Sequence, residues 1–241
     1  HHATPLPLPA KGTCVIFSDA LRMDVTQRMA DELQRMAYSS DIQPHLAALP
    51  PITATAKPAL FEVDSALSGV GSSSLDPVLK SATSPLTAEA YRTLLAERGF
   101  QILKEDDYGD PAGRGWTEMG QIDAYGHGHG ARLAHHLEGE ILALEKRVTA
   151  LLEYGWKQVM VITDHGWLLV PYSLPKAEMP EHLTILRKGR CARLKDGART
   201  DYQTLPWFWD QDVLVAFAPG INCFEGGKEY EHGGLSPQEC M

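Results

Sequence analysis

The chain has 241 residues, of which 44% are hydrophobic and 22% are charged, and its net charge is −9. This length and balance predict one large globular domain with a core that needs no covalent support, and they exclude collagen, coiled coil and a disordered chain. No apolar run approaches the roughly 20 residues of a membrane-spanning helix. The acidic charge disfavours a general nucleic-acid coat, although bound cations can reverse the field around a local phosphate site.

The first residues and the cysteines indicate the cellular compartment expected for the protein. Residues 1–10 are interpreted as a tag remnant, His1 and His2, followed by a leader. No basic segment is followed by an apolar one, so the sequence shows no secretory signal. The four scattered cysteines form no C-x-x-C pair, which argues against a cysteine zinc site and favours a reducing cytoplasm.

The first elements alternate between strand and helix patterns. The apolar run Thr13–Ser18 predicts a buried strand that ends at Asp19. Apolar residues at helical spacing predict a helix over Arg22–Met36. A second strand is predicted over Pro44–Leu49, before two prolines break the chain.

The middle of the chain is richer in glycine, serine and proline. A helix is predicted to start at Thr53 and to run through Leu60 to Leu67, and another covers Thr87–Arg98. The segments 68–85 and 106–115 have the composition of loops. We therefore expect residues 68–115 to form an insertion, or cap, over the core and the active site.

The last elements return to the alternating pattern. A long helix is predicted over Ala131–Tyr154, ended by Gly155, and a buried strand over Lys157–Thr163 ends at Asp164. Two more strands are predicted, His182–Leu186 and Val213–Ala218. Strands that alternate with helices predict an α/β fold with a mainly parallel sheet between helical layers.

Two predicted strands end in acids, at the edge where open α/β sheets bind ligands. Asp19 taken alone could simply cap the following helix. Asp164 is harder to explain in that way, because His165 follows it and Gly166 permits the sharp turn that brings both side chains to one cation.

Two further strings carry potential metal ligands. Asp123 and His127 are four residues apart, and the glycines around His127 make a helix costly, so a ligand-bearing loop is predicted there. His129 is an alternative ligand, and a solvated histidine-rich loop is the plain alternative. Near the end, His232 precedes two glycines and a helix cap, which is typical of a ligand on a turn. His135 and His136, in the long helix, are predicted surface residues.

Three aspartates and three histidines are too many ligands for one tetrahedral ion. Mixed carboxylates and imidazoles favour zinc or manganese over calcium. The set suits two divalent ions a few ångströms apart, as in two-metal phosphoryl transfer.

A nucleophile is predicted at the start of the helix that follows Pro50 and Pro51. The Thr53 hydroxyl could be ionised by a metal while helix N-terminal amides hold a phosphate. Thr53 could also be an N-cap only, and Thr55 is a rival two residues later.

In this order, the strings resemble the alkaline phosphatase superfamily, whose pattern is an Asp after a strand, a Thr or Ser nucleophile, a D-x-x-x-H pair, a D-H pair and a late His. The detail is similar to the PglZ domain of bacterial BREX phage-defence systems, through SDALRMD, LPPITA, VITDHG and HGGLSPQE. The motifs cover almost the whole chain, residues 19–239. They stop close to its end, which indicates a domain cut from a longer protein.

The resemblance implies a three-layer α/β/α core, a metal-dependent phosphoesterase activity and BREX proteins as partners. It implies that Thr53 is the catalytic nucleophile. One metal would be held by Asp123, His127 and His232. The other would be held by Asp19, Thr53, Asp164 and His165.

A phosphodiester, including nucleic acid, is the expected substrate, because no obvious basic clamp stands beside the predicted nucleophile. Five cations are weaker candidates for substrate binding: Arg22, Lys57, Arg187, Lys188 and Arg190. The segment 187–199 that holds three of them is more typical of a solvated strand pair with charged edges. Two alternatives stay open: a non-catalytic scaffold of the defence complex, and a phosphatase or phosphomutase of the same superfamily.

Overall fold

A four-stranded parallel sheet forms the centre of the protein. The computed structural model describes residues 3–63, 66–82, 84–104 and 106–241; the predicted tag residues His1 and His2 lie outside them. The strands follow the spatial order β4 (Phe100–Ile102), β5 (Arg114–Glu118), β1 (Thr13–Phe17) and β6 (Gln158–Ile162). The fold is therefore mixed α/β, as predicted.

The central strand β1 explains how the sheet is buried. All five of its residues are buried, and Phe17 is in register with Glu118 on one side and Ile162 on the other. Alternate side chains point to opposite faces, so Cys14 and Ile16 join one core cluster while Val15 and Phe17 join another. The strands β1, β5 and β6 end at one edge, which brings the residues after them together.

Helices cover both faces of this sheet. Helices α1 (Met23–Arg35) and α5 (Leu133–Tyr154) pack on the Cys14 face, while α3 (Ala88–Glu97) packs on the Val15 face together with Phe61. Gly155 ends α5 with φ of 125°, a backbone that side chains rarely adopt. Within the described residues, no helix is both long and apolar enough to cross a membrane.

A second, antiparallel sheet lies beside the first. Its order is β10 (Thr204–Trp207), β11 (Asp210–Phe217), β9 (Cys191–Leu194) and β8 (Thr184–Lys188). Its buried side chains pack against Ile52, the residue that precedes α2 (Thr53–Ala56). The described part of the chain also holds short elements: β2 (Leu67–Ser68), β3 (Val78–Leu79), α4 (Ile122–His129), β7 (Leu168–Leu169), β12 (Tyr230–Glu231) and α6 (Pro237–Cys240).

Two early predictions of secondary structure are wrong. Residues 44–49 form no strand, because Ala47 N–H donates to the Cys240 carbonyl and Phe208 N–H donates to the Leu49 carbonyl, so the segment has scattered bonds and no ladder. The helix from Thr53 ends at Ala56 and continues only as a 3₁₀ turn to Ala59, since Pro58 lacks the N–H that a longer helix needs.

The segment predicted as an insertion is in part core. β4 and the first residues of β5 fall within 68–115, and both strands belong to the central sheet. Pairing with β1 gives β5 its place, although its sequence RGWTE shows no apolar run. The strand predicted at His182–Leu186 is displaced to Thr184–Lys188, because residues 181–183 form a 3₁₀ turn.

Candidate metal centre

The candidate site lies at the edge where β1, β5 and β6 end. Asp19 follows β1, and Asp164 and His165 follow β6. The Asp164 Oδ1 atom accepts hydrogen bonds from the His165 N–H at 3.1 Å and from the Ala20 N–H at 3.4 Å. This carboxylate therefore joins the turns that follow the two neighbouring strands.

One half of the site, the sheet-edge cluster, consists of Asp19, Thr53, Asp164 and His165. The Thr53 hydroxyl oxygen lies 3.3 and 3.4 Å from the two Asp19 oxygens and 3.1 Å from His165 Nε2. His165 Nε2 lies 3.4 Å from Asp19 Oδ1 and 3.8 Å from Asp164 Oδ2. The side chains of Asp164 and His165 are fully buried, while that of Asp19 is 31% exposed.

The side chains of His165 and Asp164 in this cluster are oriented in a way that suits a bound cation. His165 Nδ1 lies 3.0 Å from the Gly166 carbonyl, which leaves Nε2 facing Asp19 and Thr53. Asp164 Oδ2 is buried and has no hydrogen-bond partner among the described residues. A buried carboxylate oxygen without a partner is costly, and a bound cation would remove that cost.

The other half, the helix-side cluster, consists of Asp123, His127 and His232. Asp123 and His127 are one turn apart on α4, with Asp123 Oδ1 and His127 Nε2 3.5 Å apart. His232 Nε2 lies 3.1 Å from His127 Nε2 and 3.4 Å from Asp123 Oδ1. Tyr230 donates its hydroxyl proton to Asp123 Oδ1 at 2.9 Å and so fixes this carboxylate.

The loop predicted around Asp123 and His127 is instead helix α4. A β-carbon at Gly126 would lie 2.5 Å from the Tyr230 ring, so glycine allows the helix to pack against the residue that orients Asp123. This packing outweighs the low helix propensity of glycine. The helix also gives Asp123 and His127 their common face through i, i+4 spacing.

The two clusters are contiguous and could hold metal ions. Two groups have ligand atoms within 4.8 Å of one another: Asp123 with His127 and His232, and Asp19 with Asp123 and His165. The rings of His165 and His232 are stacked, with their centroids 4.1 Å apart. The structure thus brings together all seven residues predicted as metal ligands.

The environment of the carboxylates in this site disfavours their charged form. Burial and then the nearby Asp164 charge raise the pKa of Asp19 to about 8, and burial raises the pKa of Asp164 to about 7. Burial lowers the pKa of His127, and it lowers that of His232 well below its usual value. Neutral imidazoles beside carboxylates short of a counter-charge are what a divalent cation requires.

Glu239, near the end of the chain, fixes the positions of two loops that carry candidate ligands. The Glu239 carboxylate accepts a hydrogen bond from the Gly234 N–H at 2.8 Å, and its backbone carbonyl accepts one from the Gly166 N–H at 3.0 Å. Arg190 donates from Nε to Glu239 at 2.7 Å, and this pair is buried. Glu239 therefore connects the loop of His232 to the loop of His165.

Thr53 faces the site, and its rival does not. The Thr55 side chain is fully buried, donates to the Leu75 carbonyl at 2.9 Å and accepts from Trp207 Nε1 at 2.9 Å. His129, the alternative ligand, stacks on Tyr125 instead of joining either group.

Four of the five cations predicted to bind substrate are engaged elsewhere. Arg22 pairs with Asp24, Lys57 with Glu118, Arg187 with Glu181 and Arg190 with Glu239. Arg190 is 1% exposed, so the prediction that it contacts substrate is wrong. Lys188 is the fifth, and it lines a cavity beside Thr53.

Three residues of the site were not found from the sequence. Glu118 is the last residue of β5, and Asp19 and Asp164 stand shortly after β1 and β6 in the same way. An acid at a strand end is therefore the signal that could have identified Glu118, but β5 itself was not predicted. Tyr230 precedes His232 by two residues in a strand, and Glu239 stands at the third position of a capping box. The sequence S-P-Q-E identifies the capping box, but the hydrogen bond from the Gly234 N–H to the Glu239 carboxylate depends on the tertiary fold.

The sequence was also compared with known proteins. No protein-family model matches the chain, and no curated protein matches it.

Proposed function

We propose that this protein is a two-metal phosphoesterase that acts on phosphodiesters, with Thr53 as its nucleophile. The observation that carries the proposal is the position of the Thr53 hydroxyl, which lies within 3.4 Å of both Asp19 oxygens and 3.1 Å from His165 Nε2. A hydroxyl among potential metal ligands at the end of a parallel sheet fits nucleophilic catalysis better than helix capping. Ile52 occupies the N-cap position of α2 and Thr53 is the first residue inside the helix, so Thr53 is not the capping residue.

Zinc or manganese suits the mixture of carboxylates and imidazoles. Asp123, His127 and His232 would hold one ion, and Asp19, Asp164 and His165 would hold the other beside Thr53. Bound ions would supply positive charge that lowers the pKa of the Thr53 hydroxyl and offsets the charge on the phosphate.

Thr53 then acts on phosphorus. Its oxygen forms a new P–O bond while the bond to the leaving alcohol breaks, the leaving oxygen takes a proton from water, and the Thr53 proton passes to solvent. Water next attacks the phosphorus of this intermediate, a phosphodiester between Thr53 and the retained alcohol. The P–O bond to Thr53 breaks, the Thr53 oxygen takes up a proton released by the attacking water, and the product phosphate monoester leaves. The hydrogen bonds from the Ala20 N–H to Asp164 and from the Tyr230 hydroxyl to Asp123 keep these two carboxylates in place throughout.

Preference for a diester is supported by the cations near Thr53. A monoester carries more negative charge, and monoesterases commonly set a free Arg against it. Lys57 is paired with Glu118 at 2.8 Å, and Arg22 is paired with Asp24 and lies 3.7 Å from the Trp167 ring centroid. Neither is free to serve as that clamp, and Lys188 and Lys228, which line the cavity beside Thr53, lack the planar guanidinium that holds two phosphoryl oxygens at once.

The motifs described above support the PglZ family and a place among BREX proteins in a bacterial antiphage system. Four buried free cysteines fit the reducing cytoplasm in which such a system works. A non-catalytic scaffold is the competing proposal, and the complete ligand set favours the enzyme, because a scaffold has no need of convergent buried carboxylates.

The decisive experiment measures metal content and hydrolysis on the same samples. Purified protein loaded with zinc or manganese should hydrolyse an aryl phosphodiester with higher kcat/KM than the matching monoester, and chelator should abolish activity. Thr53→Ala should lose hydrolysis yet keep its metal. Thr93→Ala, at an exposed threonine on α3, is the matched control and should resemble the wild type.

Other outcomes decide between alternatives. Two bound metals without hydrolysis of either ester would support the scaffold. Greater efficiency on the monoester would support the phosphatase alternative.

A further inference from the structure

A cavity of about 340 Å³ opens beside the candidate nucleophile. Thr53, Asp123, His127 and His232 line it, and so do Lys188 and Lys228. Ligand pockets span about 300–1,000 Å³, so this volume suits one nucleotide-sized group.

The two lysines differ from the other cations around the site. Their side chains make no ion pair or hydrogen bond with residues 3–63, 66–82, 84–104 and 106–241, whereas Arg22, Lys57 and Arg190 are all paired. Both are held by their backbone: Lys188 is the last residue of β8, and the Lys228 carbonyl accepts from the Leu174 N–H at 2.7 Å. They are therefore anchored cations that lack a direct ion pair with the described residues, although Glu225 and Glu231 line the same cavity.

The two lysines and the helix-side cluster border the same cavity. Lys188 and Lys228 line it together with His127 and His232, so a phosphate held by the ammonium groups would lie beside this cluster.

Resting on the phosphoesterase function proposed above, we propose that Lys188 and Lys228 form a subsite for a second phosphate group of the substrate. The substrate class is then a phosphodiester whose arm carries another phosphate, as in an oligonucleotide. Ammonium groups bind phosphate oxygens through charge-assisted hydrogen bonds.

Two carboxylates in the cavity determine how much phosphate binding should depend on the lysines. Glu225 and Glu231 line the same cavity, so without the lysines this part of the site would present net negative charge to a phosphate. Loss of either lysine should therefore weaken binding of a second phosphate by about tenfold, the effect of one charge-assisted hydrogen bond.

The test uses two probes that differ in one phosphate, thymidine 3′,5′-bisphosphate and thymidine 5′-monophosphate. Calorimetry with zinc-loaded protein at low salt should show tighter binding of the bisphosphate by about tenfold or more. Lys188→Gln and Lys228→Gln should each bring the ratio of the two affinities towards one, and Lys188→Arg should largely restore it. Zinc content and circular dichroism verify that each variant is folded and loaded.

Lys195→Gln is the matched control. Lys195 follows β9 at the other end of the same hairpin, where its N–H donates to the Leu183 carbonyl, roughly 17 Å along the strand from Lys188. This variant should keep the wild-type ratio of affinities.

The two proposals fail separately. Equal affinity of the wild type for both probes, or an unchanged ratio in both glutamine variants, overturns the subsite even if an aryl phosphodiester is hydrolysed. A preserved preference for the bisphosphate without hydrolysis of the diester overturns the phosphoesterase and leaves the subsite in place.

Discussion

The two halves of the candidate metal centre are built on different physical principles. In the sheet-edge cluster, Asp164 and His165 are fully buried and are held by the turn that ends β6. In the helix-side cluster, the side chain of His127 is 37% exposed and Asp123 is oriented by helical spacing and by Tyr230. Burial leaves the carboxylates of the first half short of a counter-charge, whereas helical spacing and the Tyr230 hydrogen bond to Asp123 give the other half its geometry.

The two halves should therefore be sensitive to different changes. A desolvated carboxylate without a counter-charge responds to charge removal and to pH. A ligand pair on a helix face responds to changes in the packing that holds that face.

Removal of the buried carboxylate should have the largest effect. Asp164→Ala deletes an anionic group next to Thr53 and also the acceptor for the Ala20 and His165 N–H groups. We expect hydrolysis of an aryl diester to fall by at least about a hundredfold, with loss of metal from the sheet-edge cluster. Mass spectrometry under native conditions and steady-state kinetics measure both. A variant with wild-type metal content and rate would show that Asp164 is only a structural residue.

The second prediction concerns pH in metal-free protein. Asp19 and Asp164 have raised pKa values of about 8 and about 7, so the native state binds their protons more tightly than the unfolded state. This stabilising contribution is lost as pH rises through those values. Between pH of about 6.5 and about 8, the free energy of unfolding of chelator-treated protein should therefore fall.

The lower limit of this window comes from the histidines. The lowered pKa values of His127 and His232 act in the opposite direction, because the unfolded state takes up their protons first as pH falls below about 6.5. Denaturant titrations at several pH values measure the slope. Asp19→Asn should flatten it and Asp41→Asn, at an exposed residue, should not. A wild-type slope in Asp19→Asn would contradict the prediction, and bound metal should weaken the slope in any case.

Tyr230→Phe should affect the helix-side cluster selectively. It removes the 2.9 Å hydrogen bond to Asp123 and leaves the ring that packs on His127. We expect a loss of about ten- to hundredfold in the affinity of the metal held by the helix-side cluster, the usual effect of losing an outer hydrogen bond to a ligand. Competition with a metal-binding dye measures it. Tyr172→Phe, at an 81% exposed tyrosine, is the control. Equal losses from both halves would show that the halves are not independent.

The smallest effects compare two glycines of α4. A β-carbon at Gly128 meets no atom within 4 Å, so Gly128→Ala should stabilise the fold by about 0.5–1 kcal/mol through helix propensity. A β-carbon at Gly126 would collide with the Tyr230 ring, so Gly126→Ala should destabilise by about 1–3 kcal/mol. Chemical denaturation of both variants measures the difference. Stabilisation by Gly126→Ala would show that α4 does not depend on this contact.

Local sequence patterns identified the elements that carry continuous apolar runs or stripes. β1 and β6 contain the apolar runs Cys14–Phe17 and Val159–Ile162, and α1 and α5 have long stripes at helical spacing. The prediction that the strand before Asp164 is buried is wrong for most of its length, because β6 is the last strand in the order of the central sheet and only Ile162 is buried. β5 could not be found in this way, because Arg114 and Glu118 flank only three buried residues and its place depends on pairing with β1 and β4. Likewise, α4 depends on Tyr230, more than 100 residues later in the chain.

The candidate site was predicted more completely than the fold around it. Asp19 and Asp164 follow strands that are clear in the sequence, and all the predicted ligands converge. What failed was the assignment of cations, because partners such as Glu118 for Lys57 and Glu239 for Arg190 come from other elements. Whether a charged side chain is available to a ligand is a property of the tertiary structure.

The bonds of Glu239 have a consequence for the order in which the protein is made. The two loops that Glu239 connects carry His165 and His232, and the carboxylate with which His165 converges, Asp19, stands near the start of the chain. During synthesis, the β1–β5–β6 sheet can assemble once residue 162 has left the ribosome, but the loop of His232 gains its anchor only when residue 239 follows. The helix-side cluster, one of the two groups that could hold a metal ion, is therefore complete and anchored only after nearly the whole segment has been translated.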